Sequence, residues 1–280
     1  LTAGATALAC AGVARAAQTD ELAAIERATG GRFGLFALDT GSGRSLAHRA
    51  DERFLMCSTF KTLAAADVLA RVDAGRERLD RRIAFGEKDL LEYAPVTREH
   101  VKDGFMSVEA LCEAAVEVSD NTAANLLLAS LGGPAGLTEF VRRRIGDRVT
   151  RMDRIEPVAN RPDGDKDTTS PRAMAGSVRR LLLGDVLGAA SRTRLEGWLR
   201  AAKVGLTRTR AGLPSDWIVG NKTGNGNTEV NDVVFARPPG RAPVILAGYC
   251  NRPGGADDAT EAAFRAWGVL VARWIAAGAR

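Results

Sequence analysis

The feature that most narrows the folds open to this chain is the placement of its strand-like segments at the two ends. Near the front, "RFGLFALDTGSGRSLAHR" (residues 32–49) sets an apolar run, a Gly-Ser-Gly turn and a second extended run in succession, the pattern of a β-hairpin. Towards the end come three more such runs, "DWIVGNKTG", "NDVVFARP" and "APVILAGYCN". From Ser58 to about Arg200 the pattern is helical and Ala/Leu-rich, broken by loops such as "EYAPVTREHVKDG" and "EPVANRPDGDKD". A short helix, Glu21–Thr29, precedes the hairpin. An amphipathic helix from Asp258 to about Ala277 closes the chain, with Phe264, Trp267, Leu270, Val271, Trp274 and Ile275 on one face. Segregated strands and helices predict an α+β protein. Its antiparallel sheet would be built from both termini and flanked by the terminal helices, with an all-helical domain inserted. The expected division is 17–57 with 201–280 for the α/β part and 58–200 for the helical part, enough chain for two intimately packed units.

The opening "LTAGATALACAGVARAAQTD" reads as the latter part of a secretory signal over residues 1–16, ending in the A-x-A pattern Ala14-Arg15-Ala16. "ALAC" is a poor match for a lipidation signal on Cys10. A periplasmic or secreted protein is expected, and no later stretch is apolar enough to span a membrane. Cys57, Cys112 and Cys250 are odd in number and lack C-x-x-C spacing, against both a disulfide framework and a zinc site. His48 and His100 each stand alone, so neither metal chemistry nor a Ser-His-Asp triad is expected, and no cofactor is called for. The net charge of +5 is scattered. The exception, four arginines in "VRRRIGDR" (Val141 to Arg148), reads as a solvated loop or helix end rather than a nucleic-acid patch.

Four short elements carry the chemistry. "MCSTFKTLAAADVLA" places Ser58 and Lys61 three residues apart at the mouth of an apolar helix, where a plain reading makes Ser58 an N-cap and Lys61 a surface charge. Ser119-Asp120-Asn121 falls in a turn between helices, Glu156-Pro157 lies in a loop, and Lys222-Thr223-Gly224 ends a strand. Each alone is a weak signal. In this order and these settings the set resembles the class A serine β-lactamases, whose S-x-x-K, S-D-N and K-T-G signature it reproduces over essentially the whole mature chain.

The chemistry agrees. A serine hydroxyl needs a base within hydrogen-bond reach, and one helical turn brings Lys61 beside Ser58. Backbone N–H groups at a helix N-terminus favour developing negative charge. The resemblance implies an oxyanion hole from the N–H groups of Ser58 and Asn225, proton relay by Ser119, and contacts from Asn121, Lys222, Thr223 and Gly224 to a β-lactam substrate. Glu156, in E-P-x-x-N with Asn160, would be the general base for deacylation, and the acylation base is Lys61 or Glu156. That glutamate separates a hydrolase from the alternatives, a penicillin-binding sensor that acylates and stalls or a D,D-peptidase. The resemblance further implies a cis Glu156-Pro157 bond, an Ω-loop over 154–167 closed by Arg154 and Asp167, an aromatic gatepost at Tyr93 and a monomer.

Several positions depart from the family pattern. Asn231 stands where many members carry an arginine, and Arg208 matches the alternative source of that guanidinium. Gly226 and Ala65 stand where some relatives have the cysteines that pair with those at 57 and 112, so both thiols are expected free. The segment from Asn160 to Asp167 is about two residues shorter than in relatives.

Overall fold

The computed structural model describes residues 18–278; the leader expected over 1–16 lies outside the described residues. Helix α1 (residues 18–29) leads into β1 (Arg32–Asp39) and β2 (Ser45–His48), the expected hairpin. The three late runs form β7 (Ile218–Asn225), β8 (Glu229–Arg237) and β9 (Val244–Asn251). Together they make one antiparallel five-stranded sheet in the order β2-β1-β9-β8-β7, with Leu35 opposite Gly248. The first strand thus finds its partner in the last.

Both faces of this sheet are covered, which explains its almost continuous apolar runs. Period-2 alternation sorts the side chains into two cores. Phe33, Leu35, Val234 and Leu246 pack under the closing helix α8 (Asp258–Ala277), against all six of its expected apolar residues. Phe36, Phe235, Ile245 and Tyr249 face the opposite way into the larger, helical core.

Helix α2 (Phe60–Asp73) runs through that second core and is buried without a break from Phe60 to Ala70. A helix apolar all round belongs inside a protein. Yet this one also carries Lys61 and Asp67 out of water, at 0% and 3% exposure. Around it stand α3 (Val108–Glu117), α4 (Asn121–Ser130), α5 (Gly133–Phe140), α6 (Pro171–Leu183) and α7 (Ala189–Arg200). The stretch expected to be all-helical also holds short strands. Of these, β4 (Arg82–Ala84) pairs with β5 (Phe105–Ser107), and β6 (Thr168–Thr169) pairs with β3 (Phe54–Leu55) from just outside it. Pairings of two or three residues have too little periodicity to read from sequence. Among the described residues no helix is long and apolar enough to cross a membrane.

Candidate active site

Ser58 lies in a single 3₁₀ turn, Cys57–Thr59, that feeds α2, so the regular helix begins two residues later than the sequence suggests. Neither turn nor helix has a side-chain cap, which removes the plain reading of Ser58 as an N-cap. Cys57, just before it, adopts a left-handed φ of 45°. That conformation costs a non-glycine residue on the order of 1–3 kcal/mol, and such strain concentrates at functional sites. Ser119 is held the same way at φ 65°.

The one correction at the centre concerns Lys61. The ammonium is fully buried, but the hydrogen bond that Ser58 Oγ makes is to Glu156 Oε1, at 3.3 Å. Lys61 Nζ donates instead to Ser119 O at 2.7 Å, Asn121 Oδ1 at 2.5 Å and, weakly, Ser119 Oγ at 3.4 Å, and pairs with Glu156 Oε1 at 3.5 Å. Lys222 Nζ reaches the same Ser119 hydroxyl at 2.9 Å and its neighbour's carbonyl, Thr223 O, at 2.8 Å. Burial pulls both ammonium groups below the usual lysine range; Lys222 falls furthest, because the positive charge of Lys61 adds to its desolvation.

Glu156 is fixed from two sides. Asn160 Nδ2 donates to its Oε2 at 2.5 Å. Asn125 bonds the backbone on both sides of the side chain, accepting from Glu156 N at 3.0 Å and donating to Glu156 O at 2.9 Å. The sequence offers no signal for Asn125 beyond an amide immediately before the apolar run "LLLASL". The Glu156-Pro157 bond is cis, and the loop is clasped by Arg154 Nε on Asp167 Oδ2 at 2.6 Å, both as expected.

On the opposite wall, β7 passes close to the serine turn. A Cβ on Gly224 would lie 2.7 Å from Met56 O, so only glycine lets the strand approach. Beyond it, the Asn225 side chain accepts from Arg208 at 2.8 Å. Ser58, Tyr93, Ser119, Asn121, Asn160, Val204, Thr223 and Asn225 line one cleft of about 270 Å³. Tyr93 is half exposed at its rim, its hydroxyl donating to Val118 O.

The sequence model of the beta-lactamase enzyme family matches residues 17–275. Beta-lactamase AST-1 of Nocardia asteroides is 50% identical over 228 residues, 80% of this chain and 73% of that protein. Beta-lactamase CTX-M-8 of Citrobacter amalonaticus is 44% identical over 83% of this chain and 80% of its own. The crystal structure of a beta lactamase from Burkholderia vietnamiensis superposes with a TM-score of 0.91 at 55% identity, over 94% of this chain and 98% of that one. An ancestral class A beta-lactamase superposes at 0.89 with 54% identity, over 92% and 99%.

The chain belongs to the class A β-lactamases. As a β-lactamase it is a hydrolase, and the stalled-sensor and D,D-peptidase alternatives give way to that activity. In this β-lactamase Asn231 does not replace the missing arginine: its Nδ2 is spent on the carbonyls of Leu55 and Met56, at 3.0 and 3.1 Å. Arg208 is the guanidinium beside the cleft, held by Glu261 Oε1 at 2.8 Å and Asn231 O at 2.9 Å. Cys57, Cys112 and Cys250 are free and buried, and burial raises the Cys57 thiol well above its usual range. Its sulfur is therefore no rival to the neighbouring serine.

Proposed function

We propose that this β-lactamase opens its substrate by attack of Ser58 Oγ on the ring carbonyl. The supporting observation is the convergence of Ser58 Oγ, Lys61 Nζ and Glu156 Oε1 in a buried cluster. The serine proton passes to Glu156, the acceptor it already faces, and Lys61 offsets the charge on that carboxylate. The oxyanion is received by the N–H groups of Ser58 and Asn225, a preorganised donor being worth about 3 kcal/mol. Ser119, which two ammonium groups face, gives its proton to the ring nitrogen as the C–N bond breaks, and Lys222 resupplies it.

Deacylation reverses the roles. Glu156 first passes the serine's proton on through Lys61 and Ser119 to Lys222; it then takes a proton from water, whose oxygen adds to the ester, and that proton returns to Ser58 as the acyl group leaves. Asn160 holds the carboxylate and Asn125 the backbone that carries it, at the angle this needs. Asn121 suits the acylamino side chain, Thr223, Lys222 and Arg208 the substrate carboxylate, and Tyr93 flanks the entrance.

The reading also places this chemistry at the seam between the 17–57/201–280 unit and the 58–200 unit, with export directed by residues 1–16. Sequencing the N-terminus of the exported protein tests the latter; a mature chain that still begins before Ala17 overturns it.

Glu156→Gln is the decisive variant. Mass spectrometry with excess benzylpenicillin should show slowed acylation, with Lys61 left to take the serine proton, followed by a persistent acyl adduct on Ser58, turnover falling about 10²–10⁴-fold. Rapid turnover by that variant removes Glu156 from deacylation.

A further inference from the structure

The arginine cluster of "VRRRIGDR" plays no part in the cleft, and the structure divides it. Arg142 turns inward onto the carbonyls of Asp147 and Thr150, and Arg143 pairs with Glu139 at 3.1 Å. Arg144 stays exposed with no side-chain hydrogen bond or ion pair among the described residues, and lines a cavity of about 540 Å³ together with Arg76, equally uncommitted among them. The third arginine there, Arg71, is occupied: it holds Asp67 Oδ1 at 3.1 Å and Leu131 O at 2.8 Å.

Two further observations say what this cavity is built to hold. The N-terminus of α5 lines it through Gly132, Ala135 and Gly136 and carries no side-chain cap; Pro134 brings no N–H and Gly136 N bonds Gly132 O, so the donors left to an anion are the N–H groups of Gly133 and Ala135. And Asp67, 3% exposed, has one oxygen, Oδ2, buried without any hydrogen-bond partner. A carboxylate oxygen in that position needs a donor. Arg76 and Arg144, both exposed, act electrostatically on Asp67.

We propose that this groove is a binding site for hydrogen phosphate or a phosphate monoester, whose anionic oxygens pair with Arg76, Arg144 and the α5 N-terminus while its P–OH donates to Asp67 Oδ2. A paired carboxylate beside the guanidinium groups discriminates by protonation. Sulfate has the same shape and charge but no proton to give at neutral pH, and a phosphodiester lacks the P–OH as well. The site is separate from the catalytic cleft. It lies at the far ends of α2 and α4, whose first turns carry Lys61 and Asn121.

The test is titration of the full mature chain with inorganic phosphate and, at matched ionic strength, with sulfate, followed by backbone amide NMR. Phosphate should give saturable shifts at Gly132, Ala135 and Gly136, with sulfate at least tenfold weaker. Arg76→Ala/Arg144→Ala, at two exposed positions, should weaken phosphate tenfold or more while penicillin turnover is unchanged. Asp67→Asn should abolish the preference for phosphate over sulfate. Shifts confined to the amides around Gly224, equal response to the two anions, or indifference to the arginine variant would each overturn the proposal. So would binding of phosphatidylglycerol vesicles without binding of phosphate, since that would make the groove a membrane-facing patch.

Discussion

Lys222 and Asp232 sit on neighbouring strands and illustrate opposite uses of burial. Lys222 is charged at a cost, since desolvation depresses its folded value below the unfolded one. The sign follows directly: folding is penalised while the ammonium is charged, and the penalty disappears as pH rises through the folded value. Catalysis needs that charge, so the alkaline limb of kcat/KM should fall below the ordinary lysine range. Lys222→Arg, whose guanidinium keeps its proton, should shift that limb upward in a pH–rate profile, and an unmoved limb would assign it elsewhere. Asp232 is fully buried, and its carboxyl is raised from 3.8 to about 6 by desolvation. Its contribution, about 3 kcal/mol below pH 3.8, is lost as pH rises from 3.8 through about 6 and is gone by pH 7. Thermal melts should therefore lose stability between about pH 4 and 6, and Asp232→Asn should flatten that slope.

At the scale of elements, the turn before α4 is held by one side chain. The Asp120 carboxylate caps α4 through Ala123 N and also accepts from Val96 N, Thr97 N and Thr97 Oγ1, all near 3.0 Å. It thereby ties the loop bearing Tyr93 to the turn bearing Ser119. Asp120→Ala would orphan buried donors at both ends and should cost about 3 kcal/mol. A melt unchanged within a degree would refute this role. The Ω-loop depends similarly on Asp167, which accepts from Asp153 N, Arg154 N and Arg154 Nε. Arg154→Ala should slow both acylation and deacylation in single-turnover kinetics, because it is Glu156 that the loop carries. These elements also show what a sequence reveals. S-x-x-K, S-D-N and K-T-G are legible because each is a local spacing on one element. The link from Asn125 to Glu156 spans 31 residues and two elements, so it has no local signature. The bond from Ser58 to Glu156 joins residues 98 apart in the chain, and the left-handed Cys57 beside it is not announced by the composition around it. The orientation of Asn231 required the register of β8 against β7, where it faces Gly224.

For the whole molecule, the two cores are unequal in kind: one is sealed by the two terminal helices, α8 and α1 with its Leu22, the other by a bundle threaded on α2. Deleting residues 258–280 would expose Phe33, Phe264's neighbours on the sheet and Val234 to water at once, and should leave no cooperative melt and no turnover rather than a weakened enzyme. The pairing of β1 with β9 sets a timetable as well. Their partners are roughly 210 residues apart in the chain. At ribosomal rates of about 5–20 residues per second, the first strand waits on the order of 10–40 s before its neighbour has even been made. Until then its edge and its aromatic side chains must be kept from other chains. A polypeptide that cannot finish its sheet while still being synthesised is also one that remains threadable, and its last strand is what makes folding possible.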